Sequence, residues 1–330
     1  MGVVEGRLYS VYVPEMLEPV EPQLRIFDNV VTVTTGLPAD AADLVSKLGS
    51  ADGAILTSKT RFTRSLADAC DTLKIIGKYG VGIDNIDVSA ATEKGILVCN
   101  TPGVNTNAVA ELSLGLILAA LRNIQVGKKH IGIHGWKDAS LVGRELAGSV
   151  IGIVGYGSIA RALLEKLSGL DLAKVLVYSE SSRSLEYNSS LVEFTTLSTL
   201  LKNSDIVTIH KALTTDSRHL IGADEMRCMK KGSYIINTSR GSLIDEEALT
   251  RFLASGHLAG AALDVFDREP LPKESPLMSM DNVVVTPHIG GFTWSARQHM
   301  VTTMAKNIVG FLTERRVDPG SVVNPEVLRQ

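Results

Sequence analysis

Three charged or titratable side chains stand just past apolar runs in the C-terminal part of the chain. YIINTSRG carries Arg240, ALDVFDREP carries Glu269, and VVVTPHIGG carries His288. Each run is rich in β-branched or small apolar residues and gives way to polar, Gly or Pro positions. Each therefore reads as a strand that delivers a polar group to a loop. A guanidinium offers a planar fork of donors that matches a carboxylate. An imidazole takes up and returns a proton in the physiological range. A carboxylate beside that imidazole fixes its orientation and raises its pKa. Gly290 and Gly291 follow the histidine and let backbone pass close behind it. Singly, each residue has an ordinary explanation: a surface arginine, a turn glutamate before Pro270, a capping histidine. Jointly they are a set for holding a small acid and moving a proton on it.

A glycine-rich turn upstream gives that set a setting. SVIGIVGYGSIA (149–160) runs from an apolar strand through Gly155, Tyr156, Gly157, Ser158 and Ile159 to Ala160, and the helical pattern RALLEKLSGL follows. This is GxGxxA between strand and helix, the arrangement that binds a dinucleotide. Gly155 permits the tight turn, and Gly157 removes a side chain where a pyrophosphate approaches the helix N-terminus. Ala160 keeps helix and strand close. The next strand, KVLVYS, ends at Ser179, 24 positions after Gly155, with Glu180 next and Arg183 close by. An acidic residue near this place accepts from the ribose hydroxyls. Glu180 would repel a 2′-phosphate and Arg183 would attract one, so the expected cofactor is NAD, with NADP possible. With a nicotinamide cofactor the charged set suits a 2-hydroxy acid: Arg240 holds the carboxylate and carbonyl, and His288 exchanges the hydroxyl proton as hydride moves. Ligands of open α/β sheets bind outside the carboxyl ends of the strands, so Arg240, Asp264, Glu269 and His288 are expected to converge there.

The elements that must position these groups follow from the rest of the pattern. LYSVYV (8–13), VVTVTT (30–35), GAILTS (53–58), LKIIGKYG (73–80) and ILVCNT (96–101) read as strands, with helical segments such as ADAADLVSKL (39–48) between them. A second series starts near residue 150. Alternation of this kind implies parallel sheets with helices on both faces, hence an α/β chain of two doubly wound parallel-sheet domains. Between the series lies TPGVNTNAVAELSLGLILAALRNI (101–124), a helix capped at Asn105 or Thr106. It is apolar around nearly its whole circumference and is expected to be buried on all sides.

Composition sets the outer bounds. The chain has 330 residues, 45% hydrophobic content and a net charge of −3, enough for two domains with real cores. Charges of both signs are scattered, which argues against nucleic acid as a partner. The apolar stretch LSLGLILAAL (112–121) is too short to span a bilayer, and the N-terminus lacks a signal-peptide pattern. Cys70, Cys99 and Cys228 lie far apart with no CxxC, which fits a reducing compartment and no structural metal. The expected location is cytoplasmic.

Seven stretches together resemble the D-isomer-specific 2-hydroxyacid dehydrogenase family, in its phosphoglycerate dehydrogenase and glyoxylate/hydroxypyruvate reductase branch. They are KYGVGIDNID (78–87), NTPGVNTNAVAELSLGLIL (100–118), GIVGYGSIA (152–160), NTSRGSLIDEEAL (237–249), ALDVFDREPLP (262–272), TPHIGGFT (286–293) and VVNPE (322–326). The resemblance implies a Rossmann nucleotide-binding domain, residues 102–290, inserted into a flavodoxin-like substrate domain, residues 1–101 and 291–330. It implies hydride transfer between a nicotinamide cofactor and a small D-2-hydroxy acid or its 2-oxo acid, and the catalytic trio Arg240, Glu269 and His288. Val81 and Gly82 would contact cofactor and substrate, and Asp264 would face the nicotinamide carboxamide. Ser158, Ile159, Ser179, Glu180, Thr238, Ser239, Gly290 and Gly291 would line the cofactor site. So would Lys211 after His210, an unusual residue at that place. A homodimer is implied as well.

The chain departs from the pattern at Thr57-Ser58-Lys59-Thr60, where phosphoglycerate-type members carry an arginine for the phosphate. Only Lys59 can substitute, which argues against 3-phosphoglycerate, as does the lack of a regulatory domain after residue 330. Glu269 stands where formate dehydrogenases of this superfamily have glutamine, which argues against formate. Two other readings share the scaffold: a cofactor-sensing, corepressor-like binding protein and a phosphite dehydrogenase.

Overall fold

The apolar runs form two all-parallel sheets in a computed structural model that describes residues 8–13, 29–180 and 190–329. The chain divides into two compact units, residues 1–105 with 293–330, and residues 106–292.

In the first unit β1 (Tyr9–Val13), β2 (Val31–Thr35), β3 (Gly53–Leu56), β4 (Ile75–Lys78) and β5 (Leu97–Cys99) lie in the order β2-β1-β3-β4-β5. Successive side chains point to opposite faces. Tyr12, Ala54, Leu56, Ile76 and Val98 pack with Leu48, Ala67 and Ala90 from the short helices on one face. Val11, Ile55, Ile75 and Leu97 pack on the other face with Met304, Ile308 and Phe311 of the long helix Trp294–Glu314. Gly53 and Gly77 let that helix press onto the sheet, because a Cβ at either would come within 3.1 Å of Ile308. The VVNPE stretch closes the β5 edge. Buried Asn324 accepts from the Val98 N–H at 2.7 Å and donates to the Ile96 carbonyl at 2.9 Å.

The second unit holds β6 (Val150–Val154), β7 (Lys174–Tyr178), β8 (Val192–Phe194), β9 (Ile206–Ile209), β10 (Ser233–Asn237), β11 (Leu258–Leu263) and β12 (Val283–Val285). Their order is β12-β11-β10-β9-β6-β7-β8, so the strand order reverses at β6, which has β7 on one side and β9 on the other. That reversal is the topological switch point at which such sheets bind ligands. Ile151, Ile153, Val175 and Val177 face the helices Thr106–Leu121 and Ser158–Leu167 on one side. Val207, Ile209, Ile235 and Ala261 face Leu200, Met226 and Leu249 on the other.

The helix Thr106–Leu121 differs from its expected burial. Val109, Ala110, Ser113, Leu116, Ile117, Ala120 and Leu121 are buried, whereas Glu111, Gly115 and Leu118 are exposed. The reason is geometric: sheet and neighbouring helix cover one face of the cylinder, and among the described residues nothing covers the opposite stripe. Among the described residues one helical run, Thr106–His134, is long and apolar enough by length and composition to cross a membrane. It is broken after Leu121, and Asn123 takes a left-handed φ of 54° before the helix Ile124–His134 begins.

Candidate active site

The glycine turn sits at the end of β6. Gly155 has φ 93°, and a Cβ there would lie 2.8 Å from backbone atoms of His210 and Lys211. Its N–H donates to the Tyr178 carbonyl at 2.8 Å, so this one residue is wedged between the ends of β7 and β9. Only glycine combines that φ with that contact. Gly157 is different: it is exposed, and a Cβ there would meet nothing within 4 Å. Open space therefore lies before the N-terminus of the helix Ser158–Leu167, where exposed Ser158 and half-buried Ile159 carry first-turn amides that a helix leaves without an intrahelical partner. Ala160 is fully buried beneath them. An unfilled cradle at a helix N-terminus is what a pyrophosphate requires, so the residues present fit a dinucleotide.

Beyond the turn, Ser179 and Glu180 follow β7, and Lys211 follows β9 by way of His210. Lys211 Nζ lies 2.7 Å from Glu180 Oε2. Burial lowers the His210 pKa to about 4, so this ring is neutral, its Nε2 paired with Thr208 Oγ1 at 2.9 Å. Arg183 lies outside the described residues.

Three strand ends build the charged set. After β10, buried Asn237 clips the turn: its Oδ1 accepts from Ser239 N–H at 3.0 Å, and its Nδ2 donates to the Arg240 carbonyl at 2.8 Å. Ser239 Oγ donates to the Ile209 carbonyl at 2.8 Å, and Thr238 Oγ1 pairs with Ser113 Oγ at 2.9 Å. The hydroxyls of Thr238 and Ser239, expected at the cofactor, thus have partners inside the unit. Gly241 then lies against the loop after β11, since a Cβ there would overlap the Phe266 carbonyl carbon at 1.9 Å. That contact brings Arg240 beside the Phe266–Glu269 loop, close enough for its charge to act on Glu269.

Glu269 Oε1 accepts from the Phe266 N–H at 3.1 Å, and its Oε2 lies 2.7 Å from His288 Nδ1. Burial disfavours its charged form. The hydrogen bond and charge of His288, the Phe266 N–H and the Arg240 charge outweigh that and hold the Glu269 carboxyl below the usual range. The Nδ1 contact assigns a proton to that nitrogen. Nε2 takes no partner among the described residues, and the histidine side chain is 39% exposed.

His288 itself has a φ of 54°, a left-handed conformation rare outside glycine. Asp264 explains how it is held. The Asp264 carbonyl accepts from the His288 N–H at 2.9 Å. The Asp264 carboxylate accepts from Thr286 Oγ1 at 2.6 Å and from the Ile289 and Gly290 N–H groups at 2.8 Å each. A Cβ at Gly290 would approach that carboxylate to 3.1 Å, and Gly291 follows half-buried. Burial pushes the Asp264 carboxyl up, against the pull of these bonds and of the His288 charge. Asp264, expected to face a nicotinamide, is here a buried anchor for the loop that carries the histidine. Asn237, Gly241, Phe266 and Thr286 were absent from the expected site. Their signal is weak: a polar residue ending a buried strand needs a partner, and the partner is not legible.

In the first unit, Lys59 and the Val81–Gly82 loop follow β3 and β4. Lys59 is exposed and its N–H donates to Thr57 Oγ1 at 3.3 Å. Asn85 Nδ2 donates to the Thr57 carbonyl at 2.9 Å and so ties the two loops together. Half-buried Gly82 follows Val81, which is 39% exposed and accepts from Asn100 Nδ2 at 2.7 Å.

Comparison with known proteins bears on the family. Residues 114–290 match the family model for the D-isomer specific 2-hydroxyacid dehydrogenase NAD binding domain. The chain is 42% identical to a glyoxylate reductase of Thermofilum pendens over 97% of this chain and 96% of that protein. It is 39% identical to a D-3-phosphoglycerate dehydrogenase of Methanocaldococcus jannaschii, over 87% of this chain but 55% of that protein. Among solved structures, the D-lactate dehydrogenase of Aquifex aeolicus with NAD and lactic acid superimposes with a TM-score of 0.84. The identity is 25%, over 96% of this chain and 99% of that one.

Proposed function

The chain belongs to the D-isomer-specific 2-hydroxyacid dehydrogenase family, and from that premise we propose that it is an NAD-dependent reductase of small 2-oxo acids such as glyoxylate and hydroxypyruvate. The observation that carries the reading is the 2.7 Å contact of Glu269 with His288 Nδ1, beside Arg240, on loops that leave three adjacent strands of one sheet. The cofactor, when bound, exchanges a hydride with C2 of the substrate. Every other task falls to side chains of this chain. Arg240 offers its fork to the substrate carboxylate and the C2 oxygen, which orients the acid and polarises the carbonyl. His288 Nε2–H donates its proton to that oxygen as it becomes a hydroxyl, and takes it back in the reverse direction. Glu269 holds the ring in orientation through Nδ1. The cradle at Gly157 suits either NAD or its 2′-phosphate.

Lys59 in place of an arginine supports an unphosphorylated acid over 3-phosphoglycerate, as does the glyoxylate reductase relative. We also read the protein as a cytoplasmic homodimer that needs neither nucleic acid nor membrane. Free, buried Cys70 and Cys99 suit a reducing compartment, and exposed Ile131, Ile133 and Trp136 suit self-association. The deciding experiment is a spectrophotometric panel of glyoxylate, hydroxypyruvate, pyruvate and 3-phosphohydroxypyruvate with NADH and NADPH in parallel. Turnover of the first two with NADH supports the reading. Dinucleotide binding without turnover of any 2-oxo acid would replace it with a sensor.

A further inference from the structure

Gly155 is wedged between the ends of two strands, and the side chains just beyond those ends meet. Its N–H donates to the Tyr178 carbonyl at the end of β7, and a Cβ on it would lie 2.8 Å from the backbone of His210 and Lys211 after β9. Glu180 stands two residues past Tyr178, and its Oε2 lies 2.7 Å from Lys211 Nζ. Tyr178 Oη donates to the other carboxylate oxygen at 2.9 Å. The two charges differ in access: the Lys211 side chain is 19% exposed and that of Glu180 is 62% exposed. The carboxylate is thus the more exposed member of the pair and the ammonium the more buried one, on a residue whose backbone N–H lies beside Gly155.

A carboxylate alone at this place would accept from ribose hydroxyls and repel a 2′-phosphate. Here a cation neutralises it. The Lys211 hydrogen bond, helped by that of Tyr178, holds the Glu180 carboxyl below the usual range, so the carboxylate is ionised near neutral pH. An ammonium has three donors, and a phosphate is a stronger acceptor than a carboxylate partner already exposed to water.

We propose that the Glu180–Lys211 pair sets the choice between NAD and its 2′-phosphorylated form, Lys211 being the cation for a 2′-phosphate and Glu180 its competitor within the chain. This rests on the dinucleotide-binding reading of the turn. The intact pair gives a modest preference for the unphosphorylated cofactor. Removing the carboxylate frees the cation, and removing the cation leaves a bare negative charge. The two residues therefore act on the 2′-phosphate through each other, not additively.

The test is a double-mutant cycle on nucleotide binding, read by calorimetry with 5′-ADP, 2′,5′-ADP, NADH and NADPH. Glu180→Gln is expected to lower the ratio of NADPH to NADH dissociation constants by about tenfold, the worth of one freed charged hydrogen bond. Lys211→Met is expected to raise that ratio. In the Glu180→Gln background, Lys211→Met is expected to abolish the gain, and 2′,5′-ADP is expected to follow NADPH throughout. Binding of 5′-ADP to all four proteins shows that the turn is folded. If 5′-ADP and NADH bind but the ratio is the same in all four, the pair is only structural and the proposal is overturned. Effects of the two substitutions that simply add also overturn it. A wild type that binds none of the four nucleotides overturns the dinucleotide reading itself, and the proposal with it.

Discussion

His288 takes a left-handed backbone conformation, with a φ of 54°, that a β-carbon resists. Such a residue persists where its surroundings over-determine it. Here the Asp264 carbonyl and carboxylate take three backbone N–H groups in a row, those of His288, Ile289 and Gly290, and these bonds hold the loop in that conformation. The ring is then aimed by Glu269 at Nδ1 and presents Nε2 outward. If Nε2 carries the proton, His288→Asn is expected to lower kcat by at least ~10², the ordinary contribution of general acid–base catalysis, with dinucleotide affinity kept. Stopped-flow single turnovers and a separate NADH titration measure the two. Equal turnover in the variant removes His288 from the chemistry. The pH dependence has a definite sign as well. The Glu269 carboxyl is held below its usual range, so its contribution to stability and to ring orientation is complete above the unfolded carboxylate pKa. It is lost only as pH falls through the lowered folded value.

Strand ends are tied to one another by residues that do no chemistry. Gly241 joins the end of β10 to the loop after β11, and Gly155 joins the end of β6 to that of β9. A Cβ on Gly157, two residues on, would meet nothing within 4 Å among the described residues. This separates structural from functional glycines by a physical test. Gly241→Ala puts a carbon 1.9 Å from the Phe266 carbonyl carbon and must move backbone, with an expected loss of at least ~1–3 kcal/mol and a lower Tm. Gly157→Ala adds a carbon with no described protein atom within 4 Å. It is expected to leave Tm nearly unchanged while weakening NADH binding, because the new methyl stands in the cradle. Differential scanning calorimetry beside an NADH titration checks both; a Gly157→Ala protein with wild-type affinity would show that the cradle is not used. The motif GxGxxA was legible in the sequence because its spacing is local. The role of Gly241 was not, because its reason is an element 25 residues further on. Asp264 shows the same limit. Its position past a strand was legible, but the amides it would hold belong to another strand's loop.

At the scale of the whole chain, the alternation of apolar strands and helical patterns was sufficient to give two parallel sheets, since each element's burial pattern is local. What composition could not give was who covers each face. The helix Thr106–Leu121 has apolar residues nearly all round and was expected to be buried all round, yet Leu118 stays 37% exposed beside Glu111 and Gly115. The exposed apolar surface continues along the same stretch of chain: Ile124, Ile131, Ile133, Trp136 and Val142 are all more than half exposed, Trp136 at 71%. Scattered exposed apolar residues are ordinary, but a run of this kind, including a tryptophan, is the composition of an interface core. A two-fold dimer is the commonest way for a soluble chain to cover such a surface. Trp136→Asp combined with Ile133→Asp places charge where an isologous contact would bury it against its own copy. Light scattering at micromolar concentration is expected to give twice the 35.3 kDa chain mass for the wild type and the single mass for the variant. A wild type that runs as a monomer, or a variant that still dimerises, would mean that this surface serves something other than a second copy of the chain.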